Sequence, residues 1–318
     1  MSAADAGRRQ LPVAAVIPAR DAERLGDTVA AIVDAACVPT EVVVVDDGSR
    51  APVGPLPPPA RAIRTPGLGR GPARNLGARA STAPLLWFVD ADVLVGEDTL
   101  GLLHTALATG VDAAMGVYSD WPLSGYQGFR RSHHRFQVLA NPEPRHLSAA
   151  CLLIRRACFE ELDEFPDLPA MEDVALGVRG TRHGYRWRSV PAATVEHLPR
   201  PSALATVIRD HRERGMASVE LAAHEGLVLE HAASPRELAA GLASVALAAG
   251  LLTPRLHRYA RPLTLGVWLV ADWPWLRYAT RRGGWRFAAA SLGWLLVFRT
   301  AVASGVVRGV LRQRERWL

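Results

Sequence analysis

The sequence predicts an α/β domain built on a mostly parallel sheet flanked by helices, followed by an apolar C-terminal helical region. Three observations carry that prediction. The valines of EVVVVDD and the LLWFV of LLWFVDAD lack polar–apolar alternation, so each reads as a strand covered on both faces, as in the middle of a parallel sheet. Segments with apolar residues at helical spacing lie between such runs, the order of successive strand–helix units. Beyond residue 225 the composition changes to Ala, Leu, Val, Trp and Arg.

In order, Val13 to Ile17 is a Val/Ile/Ala strand closed by Pro18, with Arg20, Asp21 and Glu23 in the loop behind it. Leu25 to Ala36 repeats apolar residues at helical spacing. Glu41 opens a second buried strand that ends in Asp46, Asp47, Gly48 and Ser49, and the Pro-rich piece from Pro52 to Pro59 reads as a linker or surface loop. Gly67 to Gly77, GLGRGPARNLG, carries Arg70, Arg74 and Asn75 ahead of a helix through Ala80. It lacks both P-loop spacing and a strand-borne G-x-G-x-x-G, so it is either a phosphate cradle or a flexible turn with a solvated arginine.

Leu85 to Asp92 then delivers Asp90 and Asp92 at the carboxyl end of a strand, the edge of an open α/β sheet where ligands bind. Two hard oxygen ligands without a cage of further carboxylates suit Mg²⁺ or Mn²⁺ held jointly with substrate phosphates. The alternative is that one aspartate caps a turn and the other is solvated. Glu97 to Ala108 reads as an amphipathic helix and Ala113 to Val117 as a strand. Trp121 to Arg145 is irregular, contains His133 and His134, and reads as a long loop of the lid or binding-surface kind.

Ala149 to Ile154 is a further strand and Arg155 to Phe165 a short helix. In PAMEDVALGVR, from Pro169 to Arg179, Glu172 and Asp173 fall at a helix N-terminus. Acids there either complement the helix dipole or, for one of them, serve as a general base. Tyr185 to Pro191 and Ala193 to His197 read as short strands ending at His197, which is structural or a metal ligand. Pro201 to Glu225 is a long helix carrying Arg209, Asp210, His211, Arg212 and Arg214.

With 318 residues the chain can bury a full core. All 37 basic residues are arginine, and their distribution is uneven: residues 1–199 are net acidic, and the basic excess lies in 200–318. Such a tail can meet nucleic acid, anionic lipid or a phosphorylated substrate. Cys37, Cys151 and Cys158 form no C-x-x-C pair and indicate neither a disulfide framework nor a zinc site, which fits a reducing cytoplasm. The first twenty residues end their short apolar run in Pro and Arg, a first strand rather than a secretory segment.

The order of these features is specific: a strand with IPAR, a strand into DDGS, then ARN-x-G, FVDAD, MEDVALGVR and a strand-borne histidine. It resembles the family 2 glycosyltransferases of the GT-A fold over about residues 11 to 220. The resemblance implies a nucleotide-sugar donor (UDP- or GDP-sugar), a divalent metal (Mn²⁺ or Mg²⁺), and inverting transfer to an acceptor hydroxyl. It also implies the site. Pro18, Arg20, Asp46 and Asp47 match donor-holding positions, Arg74 the arginine near base and diphosphate, and Asp90 and Asp92 the D-x-D, with Asp92 the direct metal ligand. His197 matches the late histidine that completes metal coordination, and Asp173 the carboxylate assigned as base. Arg20-Asp21 stands where many members have Tyr-Asn, and the Q-x-x-R-W motif of processive synthases is missing, which argues against polymer synthesis. A catalytically silent scaffold that keeps the fold is the alternative. A sugar nucleotidyltransferase ranks low, since its Gly-rich signature ending in Arg and its early Lys are both missing.

The expected organisation is a flexible N-terminus over 1–10, a GT-A domain over 11–225 and a membrane-associated tail over 226–318. Leu238–Leu252, Leu263–Ala271 and Phe287–Phe298 carry no charge, yet each is shorter than the ~18 residues a spanning helix needs, and arginines flank all three. The positive-inside rule disfavours a hairpin spanning the membrane with Arg255 to Arg261 outside. Helices lying in the cytoplasmic leaflet are expected instead, with Trp268, Trp273, Trp275, Trp285 and Trp294 at the interface. A helical subdomain packed on the core is the alternative. Arginines interleaved with long apolar runs suit lipid better than nucleic acid. A lipid or cell-envelope acceptor is suggested by this tail alone.

Overall fold

The computed structural model describes residues 8–119, 125–197, 203–226, 235–252 and 260–317. By contacts the chain divides into two units, one of residues 1–119 and 137–199, the other of 120–136 and 200–318.

The first unit is a mixed sheet with helices on both faces. Its strands are β1 (Arg9–Ala19), β2 (Cys37–Asp47), β3 (Ala60–Thr65), β4 (Leu85–Val89), β5 (Val93–Val95), β6 (Ala113–Tyr118), β7 (Cys151–Arg155) and β8 (Trp187–His197). They lie in the order β3-β2-β1-β4-β7-β6-β8-β5. The β3-β2-β1-β4 portion is parallel throughout, as the buried apolar runs predicted. β7 enters antiparallel to both β4 and β6, β8 returns parallel to β6, and β5 is antiparallel to β8.

Helices α1 (Leu25–Val33), α2 (Arg70–Arg79), α3 (Thr99–Leu107), α5 (Arg156–Glu161) and α6 (Glu172–Arg182) belong to this unit, and α4 (Gly125–Ala140) lies between α3 and α5 in the chain. Each buried strand serves two cores by alternation. Val13, Ala15, Ile17, Val42, Val44 and Trp87 pack with Val29 and Ile32 of α1 and Leu100 and Leu103 of α3. Ala14, Val16, Leu86 and Phe88 pack on the opposite face with Phe159 of α5, Phe165 in the segment after α5, and Leu176 of α6. Two-sided burial is what the unbroken apolar runs require. α2 lies close on the sheet because Gly77 has no side chain: a Cβ there would come within 2.4 Å of Val16 Cγ1.

Several expectations change. Arg9 and Gln10 already pair with Cys37 and Val38, so ordered chain precedes residue 11, while 1–7 lie outside the described residues. β3 and β5 were not read from the sequence, and the two short strands before His197 are one. The segment read as an irregular loop from Trp121 to Arg145 contains the sixteen-residue helix α4; residues 121–124 lie outside the described residues.

The second unit is helical, with α7 (Leu204–Glu225), α8 (Pro235–Leu252) and α9 (Ala260–Trp317). α9 is not straight. Gly284 is non-helical, with φ 75°, and the two arms fold back on each other. Trp275 of the first arm donates from Nε1 to Ser291 Oγ of the second at 3.1 Å, and Arg299 reaches back to Asp272 with both terminal nitrogens. The arms therefore form a hairpin. The second arm crosses α7 at glycines: a Cβ on Gly215 would stand 2.1 Å from Val302 O, and one on Gly305 2.0 Å from Arg212 O. Such small-residue crossings bring backbones together. Phe129, His133 and Phe136 surround Trp275 in an aromatic cluster. Trp268 and Trp275 are thus core residues, a correction to their expected interfacial place, whereas Trp273 and Trp285 are exposed.

Candidate active site

The sequence-marked residues converge on one edge of the sheet. β1, β2 and β4 end there with Pro18, Asp46–Asp47 and Val89 before Asp90. Antiparallel β7 starts there, because Val89 pairs with Cys151, and β8 ends there with His197 opposite Val93. Topology alone therefore gathers side chains that lie far apart in sequence.

Asp92 and His197 are the inner pair. His197 Nε2 lies 3.5 Å from Asp92 Oδ2, and Tyr118 packs edge-on to the imidazole with ring centroids 5.8 Å apart. Asp90 is turned toward α2, where it accepts a hydrogen bond from Arg74 Nη2 at 2.6 Å. Burial works against the Asp90 charge, and Arg74 and Arg70 outweigh it, so its carboxyl is held below the usual range. Arg70, exposed on the first turn of α2, is a residue whose proximity to Asp90 the sequence did not reveal.

Asp173 faces the same edge from α6. Its Oδ2 accepts the Ala149 N–H at 2.9 Å, and Asp90 donates its own N–H to the neighbouring Ala150 carbonyl at 3.1 Å. The two carboxylates flank the start of β7. Met171, just before α6, adopts a left-handed conformation with φ 67° that aims the first turn of the helix. Strained backbone of this sort is commonly held at functional sites.

Arg74 does not point outward. It is 2% exposed and lies between Asp90 and Glu172, whose Oε1 accepts from Arg74 Nη1. Burial opposes its charge, but Asp90, Glu172 and Asp173 outweigh that and raise its pKa. Glu172, also 2% exposed, is thus a site-organising residue the sequence reading left among helix caps. Asn75 clamps both backbone groups of Phe165, and Gly71 leaves room for the Pro166 carbonyl, which a Cβ would approach to 2.6 Å. The GRGPARNLG stretch therefore braces α2 against the segment leading into Asp173.

Asp46 and Asp47 shape the loops at the edge. Asp46 accepts from Ser49 N, Val53 N and Arg64 Nη1 at 3.0 to 3.3 Å. Asp47 accepts from Thr65 Oγ1, Leu68 N and Gly69 N, fixing the turn that starts α2. Pro18 is half-buried at the end of β1, and Arg20 is exposed beside Gly67.

Among the described residues no three His, Cys, Asp or Glu side chains gather as a metal cluster. One carboxylate and one imidazole do suit a divalent cation that takes the rest of its shell from substrate phosphates and water.

Residues 14–163 match the profile of glycosyl transferase family 2. The match bears out the resemblance to family 2 glycosyltransferases over this part of the chain. The glycosyltransferase domain shares its fold with the mannosyltransferase PcManGT from Pyrobaculum calidifontis, solved in complex with GDP-Man and Mn²⁺. That likeness has a TM-score of 0.56 at 19% identity and covers 94% of this chain and 87% of that one. TarS 1–349 of S. aureus, solved in complex with UDP-GlcNAc, aligns at a TM-score of 0.46 and 15% identity, covering 92% of this chain and 91% of that one. No curated protein matches the sequence.

Proposed function

We propose that this family 2 glycosyltransferase moves one sugar at a time, with inversion, from a UDP- or GDP-sugar to an acceptor hydroxyl in the presence of Mn²⁺ or Mg²⁺. The observation that carries the reading is the meeting of Asp90, Asp92, Asp173 and His197 at one sheet edge. Asp92 and His197 hold the cation, and Asp90, Arg70 and the loops set by Asp46 and Asp47 receive the donor, with Pro18 and Arg20 on the nucleoside side. When bound, a divalent cation neutralises the charge that builds on the departing diphosphate. Arg74 is assigned to orienting Asp90 rather than to touching the diphosphate, because it is buried.

Asp173 is the general base. It takes the proton from the acceptor hydroxyl as the acceptor oxygen bonds to the anomeric carbon from the face opposite the diphosphate. The bond from that carbon to the diphosphate oxygen breaks with its electron pair leaving on the diphosphate. A positioned base of this kind contributes about 10² to 10⁴-fold.

In this reading the enzyme works at the inner face of a cell membrane, with a lipid or envelope precursor as acceptor. Support comes from Thr264–Gln313, long and apolar enough to cross a membrane by length and composition, and from the exposed apolar side chains on it. Calorimetric titration of UDP, GDP and dTDP sugars, with and without Mn²⁺, into the protein and its Asp92→Ala variant tests the donor site. Metal-dependent binding of one nucleotide, lost in the variant, is expected. No binding by folded protein sinks the enzyme reading in favour of a silent scaffold.

A further inference from the structure

The hairpin of α9 has a chemically distinct turn. Arg277, Arg281 and Arg286 are all exposed on either side of the Gly284 break, Arg282 lies among them, and no acidic residue occurs from Trp273 to Arg314. Trp285, 71% exposed, sits at the break with the Arg286 guanidinium over its ring, 5.5 Å from the centroid. Beside the turn a groove of about 350 Å³ is lined by Gly283, Arg286, Phe287, Ala290, Ser291 and Trp294. It has one cation at its edge and otherwise apolar, aromatic or small side chains. Along the first arm, away from the turn, the outward side chains are Leu265, Val267, Leu269, Val270 and Trp273, and the inward ones Trp268, Asp272, Trp275 and Ala279.

The order on the surface is thus apolar, then tryptophan, then arginine. That is the sequence of environments from acyl chain through interface to phosphate head group. The only charged side chains within the apolar lengths of the two arms, Asp272 and Arg299, neutralise each other inside the unit. A patch this apolar, rimmed by one sign of charge, marks an interaction surface. Its uniform positive charge selects an anionic partner.

We propose that this turn is a docking site for anionic phospholipid in a bilayer: Arg277, Arg281 and Arg286 meet head-group phosphates, Trp285 sits at the interface, and the groove beside Phe287 and Trp294 takes an acyl chain. The proposal rests on the reading of the tail as membrane-facing and gives it a place and a lipid class. Each arginine near an anionic surface is worth about 1 kcal/mol, so removing two weakens binding about 30-fold.

The test is flotation of the full-length chain with vesicles of phosphatidylcholine alone or mixed with phosphatidylglycerol. The comparison is with Arg281→Gln/Arg286→Gln, Trp285→Ala and a remote control, Arg24→Gln. Circular dichroism checks folding, and nucleotide titration is run on the same samples. Binding to the anionic vesicles, weakened at least 10-fold by the double variant, reduced by Trp285→Ala and untouched by the control, is expected. Equal binding to both vesicle types, binding to neither, an undiminished double variant, or displacement by inorganic phosphate at matched ionic strength overturns the proposal. The last outcome assigns the arginines to free phosphate. Because vesicle binding needs no donor, its loss with intact nucleotide binding overturns this proposal alone. Intact vesicle binding without any nucleotide binding overturns only the transferase reading.

Discussion

Arg74 and Glu172, ninety-eight residues apart, form a buried ion pair that joins α2 to the helix carrying Asp173. Asp90 is the third member, so one guanidinium stands between two carboxylates. Arg74 Nε and Glu172 Oε2 are buried with no hydrogen-bond partner among the described residues. The network therefore holds one more carboxylate than guanidinium and is not fully satisfied in hydrogen bonds, and its members are not interchangeable.

Arg74→Met strands Glu172 as an uncompensated buried acid, leaves Asp90 to Arg70, and should cost about 3–5 kcal/mol of stability. Urea unfolding of the variant checks this. A change under ~1 kcal/mol would mean that the pair is open to water.

Asp92→Asn and His197→Ala should leave the fold intact and weaken Mn²⁺-dependent nucleotide binding by at least about 10-fold, since each removes one of two candidate protein ligands. Titration with and without Mn²⁺ distinguishes this from a general loss of donor affinity, which would lower both.

Asp173→Asn keeps an oxygen for the Ala149 N–H but cannot accept a proton. Nucleotide affinity should stay within about 3-fold of the parent while transfer falls about 10² to 10⁴-fold. Unchanged turnover would remove Asp173 from the base role.

Gly77→Ala drives a methyl group against Val16 between α2 and β1 and should destabilise by about 1–3 kcal/mol. A shift of the urea midpoint at constant slope is the signature.

His211 carries a pH prediction. Burial, with Arg214 and Arg130 nearby, pushes its pKa down to about 4. The unfolded chain then binds a proton that the folded chain refuses, so stability should fall as pH drops from about 6.5 to about 4. Melting temperatures across that window, with His211→Gln flattening the slope, check the sign. The depressed carboxyls of Asp46 and Asp90 act lower, their stabilisation being lost as pH falls below the ordinary carboxylate range.

What could be read from the chain was whatever an abrupt change from apolar to charged residues announces. Asp46 and Asp90 each close a buried apolar run and His197 ends a strand, so their edge was legible. Their partners were not: that Arg74 turns inward depends on Glu172 arriving from a distant helix, and that Asp47 holds a turn depends on Leu68 and Gly69 folding back onto it. α4 was hidden because its arginines and histidines obscure the stripe of Tyr126, Phe129, His133 and Phe136 that its helical period creates. β3 was missed because ARAIRT places arginines on a half-exposed edge strand, where polar residues are expected rather than excluded.

The Asp272–Arg299 pair, twenty-seven residues apart across the α9 break, has a consequence for how the protein is made. A ribosome releases Asp272 well before Arg299, so for that interval a lone carboxylate stands in an apolar stretch with nothing to neutralise it. The first arm alone therefore cannot bury Asp272 without cost, and the hairpin closes only once the second arm supplies Arg299. The charge balance of the first arm therefore depends on the second.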